Sequence, residues 1–101
     1  MNMEISIVPV SQDANTAKYM AEVVKIVEAS GLDYKCTAMS VQVSGTKDEN
    51  MEVARLSHEK IMSMTDRAHI MLRMDETSGQ TNGFQSELKA IEEILGKEVK
   101  K

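Results

Sequence analysis

Few side chains in this chain have chemistry to offer beyond packing: two histidines, one cysteine and the pair Arg67 and Arg73. His58 falls on a helical stripe with Met51, Ala54 and Ile61, where a boundary or helix-surface histidine is expected rather than a base. His69 alternates out of an apolar strand and has no carboxylate or second histidine beside it in sequence. A metal centre needs three or four converging ligands, and no spacing here matches one. Cys36 has neither an activating base nor a helix N-terminus next to it, so it is expected to be a buried structural thiol, not a nucleophile. Arg67 and Arg73 flank His69 on one strand face, which suits either an anion or ion pairs across a subunit contact. The five glycines are scattered at element ends, with no phosphate-cradling run. These residues form no catalytic constellation. The expectation is a binding protein that is not an enzyme and needs no cofactor or metal.

The elements that would position such residues must fit within 101 residues, enough for one domain (1–101) with one core. A net charge of −4 lacks the basic footprint of a nucleic-acid binder. No run of about 20 apolar residues is present for a membrane span. The first residues, Met1-Asn2-Met3-Glu4-Ile5, lack the features of a signal peptide. A single cysteine gives no disulfide framework, so a reducing, cytoplasmic setting is expected. Nine methionines and only three aromatic residues (Tyr19, Tyr34, Phe84) imply a core of Val, Ile, Leu and Met. A small domain with spare apolar surface gains from self-association.

Residues 4–11 form the first expected strand, apolar on both faces except at Ser6, with Pro9 at its end or at an edge. A helix follows, capped by Asp13 or Asn15, with Ala17, Met20, Ala21, Val24 and Val27 on its inner face and Gly31 closing it. Residues 33–44 alternate as two short strands with a hairpin or sharp bend near Met39-Ser40. Thr46-Lys47-Asp48-Glu49 is a capping box that starts a second helix, running to about Met64. Residues 67–74 give the clearest strand, with Ala68, Ile70, Leu72 and Met74 on one face. After a polar loop at 75–83, the capping-box pattern Asn82-Gly83-Phe84-Gln85 opens a last helix with Phe84, Leu88, Ile91 and Leu95 inward. The order β-α-β-β-α-β plus a helix is the ferredoxin-like α+β sandwich: a four-stranded antiparallel sheet with two helices on one face. Its other face is left open. The first strand offers that face either Val8 and Val10 or Ile5 and Ile7, an apolar surface that a homodimer or larger oligomer would cover.

The series Ile5-Ser6-Ile7-Val8-Pro9-Val10, Lys18-Tyr19-Met20-Ala21, Gly31-Leu32-Asp33-Tyr34, Thr37-Ala38-Met39-Ser40, Ser44-Gly45 and Arg67…Arg73-Met74-Asp75 resembles the thiamine-binding, MTH1187/YkoF-like family, also called DUF77. The resemblance covers nearly the whole chain in the right order. It implies a ferredoxin-like fold, dimers whose sheets pair and which commonly join as dimers of dimers, and non-catalytic binding of thiamine or its hydroxymethylpyrimidine part. Carried over by position, it places ligand contacts at Ser6, Val8, Thr37 and Met39. Ser6 and Thr37 would donate and accept toward a pyrimidine edge, and Val8 and Met39 would touch its ring. Members usually carry Pro-Met-Gly at the bend and a glutamate before the following glycine; this chain has Ala38-Met39-Ser40 and Ser44. The competing expectation is a structural or regulatory protein-interaction module without a metabolite ligand.

Overall fold

A computed structural model describes residues 1–10, 15–78 and 84–100. In chain order the elements are β1 (Asn2–Pro9), α1 (Thr16–Ser30), β2 (Asp33–Cys36), β3 (Val41–Ser44), α2 (Lys47–Met64), β4 (Ala68–Asp75) and α3 (Gln85–Leu95). The four strands form one sheet in the order β2-β3-β1-β4, and every neighbouring pair is antiparallel. This is the expected α+β, ferredoxin-like arrangement. β1 lies in the middle, paired with β3 from Asn2 to Ile5 and with β4 along its whole length. It begins two residues earlier than the sequence pattern suggests because Asn2 already pairs with both Ser44 and Asp75. Pro9 ends it, which leaves the ladder without a missing donor in its interior.

Alternation along β1 divides the molecule. Met3, Ile5 and Ile7 point to the helix side and are almost fully buried with Val41 and Val43 of β3. Val23 and Val27 of α1 and Val53 and Ile61 of α2 close this core. Of the two choices for the open face, β1 therefore gives it Val8 and Val10, both exposed. On β4 the helix-side residues Ala68 and Ile70 are half-buried, whereas Leu72 and Met74 are exposed, because the helix layer does not extend over that end of the edge strand.

Both long helices begin with side-chain caps. Asn15 accepts from the Lys18 backbone N–H at 3.3 Å, while the alternative cap Asp13 lies outside the described residues. Thr46 and Glu49 form the full capping box. The Thr46 backbone N–H and hydroxyl hold the Glu49 carboxyl below its ordinary pKa. Gly31 closes α1 at φ 76°, a left-handed conformation that costs other residues steric energy. Gly45 is small for a different reason: a Cβ there would stand 3.1 Å from both Asn50 Oδ1 and a Leu32 methyl.

The buried stripes of the helices are rotated from the expected ones. α1 buries Tyr19, Val23 and Val27 and leaves Ala17 and Ala21 exposed. α2 buries Asn50, Val53, Ser57 and Ile61, so Met51 and His58 face outward. Apolarity alone hid this, since two members of the true stripe are polar. Asn50 is inside because its Nδ2 donates to the Met1 carbonyl at 2.8 Å, tying α2 to the start of β1. Cys36 is also exposed, not buried, because β2 is a four-residue strand at the sheet edge. In α3, Phe84 is buried and Leu88 half-buried, but Ile91 and Leu95 are exposed, as is Ile94 at 88%. Phe84 is the N-cap and makes no side-chain cap bond; the expected cap Asn82 lies outside the described residues. Among the described residues no helix is long and apolar enough to cross a membrane.

Ser57 Oγ is buried without a hydrogen-bond partner among the described residues. An unpaired buried hydroxyl costs about 1–3 kcal/mol, and serine is a poorer helix former than alanine. Ser57→Ala is therefore expected to stabilise the fold by about 1 kcal/mol, read as a melting temperature raised by ~4–8 °C. A lower melting temperature would show that the hydroxyl has a bonding role.

Candidate binding site on the outer sheet face

The four-residue link between β2 and β3 is folded around the Thr37 hydroxyl. That oxygen accepts from the backbone N–H of Met39 (3.2 Å) and of Ser40 (3.1 Å), and donates to the Ser40 carbonyl at 3.2 Å. The Thr37 backbone N–H donates to the same carbonyl at 2.8 Å. A threonine that bonds its own following backbone replaces the glycine-dependent geometry of a tighter turn. This explains how a hairpin forms at Thr37–Ser40 without an Asn-Gly signal.

Two bonds fasten this turn onto β1. Ser6 Oγ donates to the Met39 carbonyl at 2.8 Å, and Ser40 Oγ donates to Glu4 Oε2 at 3.1 Å. Three of the four expected site residues, Ser6, Thr37 and Met39, are therefore brought together. Val8, two residues along β1 from Ser6, shares its face and is 47% exposed. The Met39 side chain is 83% exposed at the tip of the turn. With Met71, which pairs with Ser6 across β4, these form an apolar shelf beside a polar seam. Among the described residues nothing donates to the Ser6 hydroxyl, so its lone pairs can accept, whereas the Thr37 hydroxyl is committed to the turn.

Beyond Ser6 the face turns polar. Strand register sets Lys35, Gln42, Glu4 and Arg73 in one row across all four strands. The next row is Asp33, Ser44, Asn2 and Asp75. The start of α3 lies over these rows and encloses a cleft of about 520 Å³, lined by Glu4, Lys35, Gln42, Arg73, Phe84 and Glu87 among others. Lys35 Nζ sits 5.9 Å from the centroid of the Phe84 ring, within cation–π range. Arg73 approaches Glu4 at 4.0 Å. His69 pairs with Val8 on the same face, one strand over. The sequence pattern missed Glu4, Ser40, Lys35 and Phe84. Parity along β1 was the available signal for Glu4, since residues 4, 6 and 8 must share a face.

A larger groove of about 840 Å³ lies on the opposite side, between α1 and α2. Its floor is Ile26, Leu32, Val53 and Leu56, and its rim is mainly acidic. Arg55 donates to Glu52 and Glu59 there and lowers the Glu52 pKa through hydrogen bonding. None of the expected site residues lies in it. Size alone does not make it the better candidate, because Glu49, Glu52 and Glu59 of its rim are already bonded to Thr46 or Arg55 outside it. Among the described residues no three His, Cys, Asp or Glu side chains converge as metal ligands would.

Residues 3–92 match the family model described as "Thiamine-binding protein". Among solved structures the chain is similar to the hypothetical protein MJ1052 from Methanocaldococcus jannaschii, at 27% identity and a TM-score of 0.81, covering 91% of this chain and 95% of the other. It shares its fold with a Bacillus cereus domain of unknown function DUF77, at 16% identity and TM-score 0.75 over 87% and 86% of the two chains. It also shares it with the Thermotoga maritima protein TM0486, assigned provisionally to thiamine biosynthesis or salvage, at 16% identity and TM-score 0.78 over 89% and 96%. No curated protein matches the chain.

Thr37→Val keeps the side-chain shape and removes the oxygen that organises the turn. It is expected to cost about 1–2 kcal/mol and to speed hydrogen exchange at the Met39 and Ser40 amides while leaving the core amides protected. Unchanged exchange at both amides would show that the turn holds without that hydroxyl.

Proposed function

The chain belongs to the thiamine-binding protein family, and on that premise we propose that it is a non-catalytic module for thiamine or its hydroxymethylpyrimidine part. The family match across residues 3–92 carries this reading. The chemistry of the outer face supports it. A pyrimidine seated against Val8 and the Met39 thioether would meet apolar and sulfur contact on its ring. Its exocyclic amine would donate to the Ser6 hydroxyl or to the Glu4 carboxylate, which Ser40 already orients. Thr37 would act through the turn rather than by direct contact. Glu4 lies one strand over and one row away from Ser44, so it can supply the acidic group that relatives carry at that position.

We place this module in a homo-oligomer of the cytoplasm. Val8, Val10, Met39 and Met71 leave apolar surface on the outer face, and Ile91, Ile94 and Leu95 leave more on α3. A second copy would bury such surface at about 25 cal/mol per Å². An exposed, free Cys36 suits a reducing compartment.

Thermal-shift measurement against thiamine, its phosphates, hydroxymethylpyrimidine and unrelated metabolites tests the ligand. A ligand at about 100 times its dissociation constant stabilises the fold by ~2.7 kcal/mol, and Ser6→Ala is expected to reduce that shift. No response to any of these compounds at millimolar concentration would overturn the reading. Light scattering at micromolar protein is expected to give at least twice the 11.2 kDa chain mass. A monomeric mass would overturn the assembly.

A further inference from the structure

The helix layer carries a groove that neither the core nor the outer sheet face uses. Between α1 and α2 lies an open trough of about 840 Å³, with Ile26, Leu32, Val53 and Leu56 as its floor. Val53 is buried, Ile26 and Leu32 are half-buried and Leu56 is 37% exposed, so apolar surface reaches solvent along the trough. On α2 the lining positions Glu49, Glu52, Val53, Leu56, Glu59 and Lys60 recur at helical spacing. They run about 16 Å, or three turns, along one side of the helix. The opposite wall includes Ala29 and Ser30, whose small side chains let another backbone come close.

The rim is dominated by one sign of charge. Asp48, Glu49, Glu52 and Glu59 stand around the floor, against Lys60 and, just outside, Arg55. Arg55 bonds Glu52 and Glu59, yet their side chains stay 53% and 58% exposed, and a carboxylate with one partner still accepts from others. The hydrogen bond from Arg55 also lowers the Glu52 pKa, so Glu52 is charged at neutral pH. A metabolite that needs unshared hydrogen-bonding groups gains little from carboxylates already partnered. A protein segment needs apolar area and opposite charge, and the groove has both. A trough between two helices accepts a third, whose apolar stripe fills the floor while flanking lysines or arginines meet the rim. Nucleic acid and anionic membrane are repelled by the same carboxylates. A second copy's α3 fits less well, because Ile91, Ile94 and Leu95 are interleaved with Glu92 and Glu93, which the rim would repel. We propose that the α1–α2 groove docks a basic amphipathic helix of about three turns from a partner protein, with Ile26 and Leu56 as floor contacts and Glu52 and Glu59 as counter-charges. The groove lies across the sheet from Ser6 and Met39, so this docking is independent of the thiamine reading and compatible with a ligand on the outer face.

The test is an NMR shift titration of the full chain with a helical peptide of about 18 residues, carrying leucines at i, i+4, i+7 and i+11, lysines beside them and alanine elsewhere. One control peptide has glutamate for lysine, and the other keeps the lysines but scatters the leucines around the helix. At about 0.15 M salt the lysine peptide is expected to bind roughly tenfold more tightly than either control, with shifts centred on Ile26, Leu32 and Leu56. Leu56→Asp is expected to weaken it about tenfold and Glu59→Gln about threefold, whereas Ile94→Asp on α3 leaves it unchanged. Melting curves check that each variant is folded, and the exposed Glu59→Gln change keeps the test open if Leu56→Asp is not. Equal binding of the three peptides, shifts centred on the outer sheet face, or undiminished binding by both folded groove variants would overturn the proposal. So would the lack of saturable binding of the lysine peptide at millimolar concentration. Groove shifts that grow with protein concentration alone, without peptide, would seat a second copy there and overturn it as well.

Discussion

Everything else in the molecule depends on the two-sidedness of β1. It is an internal strand, paired with β3 over its first half and with β4 along its whole length, and side chains on a strand alternate strictly between faces. Met3, Ile5 and Ile7 are committed to the helix layer, where their burial drives folding. Asn2, Glu4, Ser6 and Val8 are then committed to the other side without any further choice. A register slip of one residue would bury Glu4 and expose Ile5, so the core fixes the site's composition.

The outer face is organised by hydrogen bonds rather than by burial. Thr37 folds the β2–β3 turn, and Ser6 and Ser40 pin that turn to the central strand. Each such bond is worth only about 1 kcal/mol net, far less than the burial of the core residues below them. Their role is positional: they hold a carbonyl, a hydroxyl and a carboxylate close together on a surface that would otherwise be a plain strand. The cost of being open appears on that face and on α3, where Val8, Met71, Ile94 and Leu95 remain in solvent.

Two polar residues inside α2 show how tertiary bonds can override a hydrophobic pattern. Asn50 and Ser57 are both buried, and they occupy positions that a reading of apolar periodicity gives to the outside. Asn50 is held there by its bond to the Met1 carbonyl, in the same corner where Gly45 lets the chain pass close to Leu32. Ser57 has no such bond. It lies inward because the stripe through Asn50, Val53 and Ile61 passes through it, four residues after Val53. His58 is turned to solvent by the same rotation, which removes it from the interior.

The sequence by itself determined the element order, the capping box at Thr46, the αL close at Gly31 and the alternation of β1, and it narrowed the first helix cap to Asp13 or Asn15. These depend on neighbours within a few residues, through side-chain caps, left-handed glycine and strand period. It also carried the family, because an ordered series of short motifs survives where single ones are weak. Tertiary structure alone decided which of the two apolar faces of β1 would be covered, and that Cys36 would face water. It also decided that Lys35, Gln42, Glu4 and Arg73 would stand in one row from four separate segments. The physical reason is that register and helix rotation are settled by the sum of contacts across distant parts of the chain. A bond such as Asn50 to Met1, or a ring such as Phe84 laid over a strand it does not adjoin, leaves no local pattern to read.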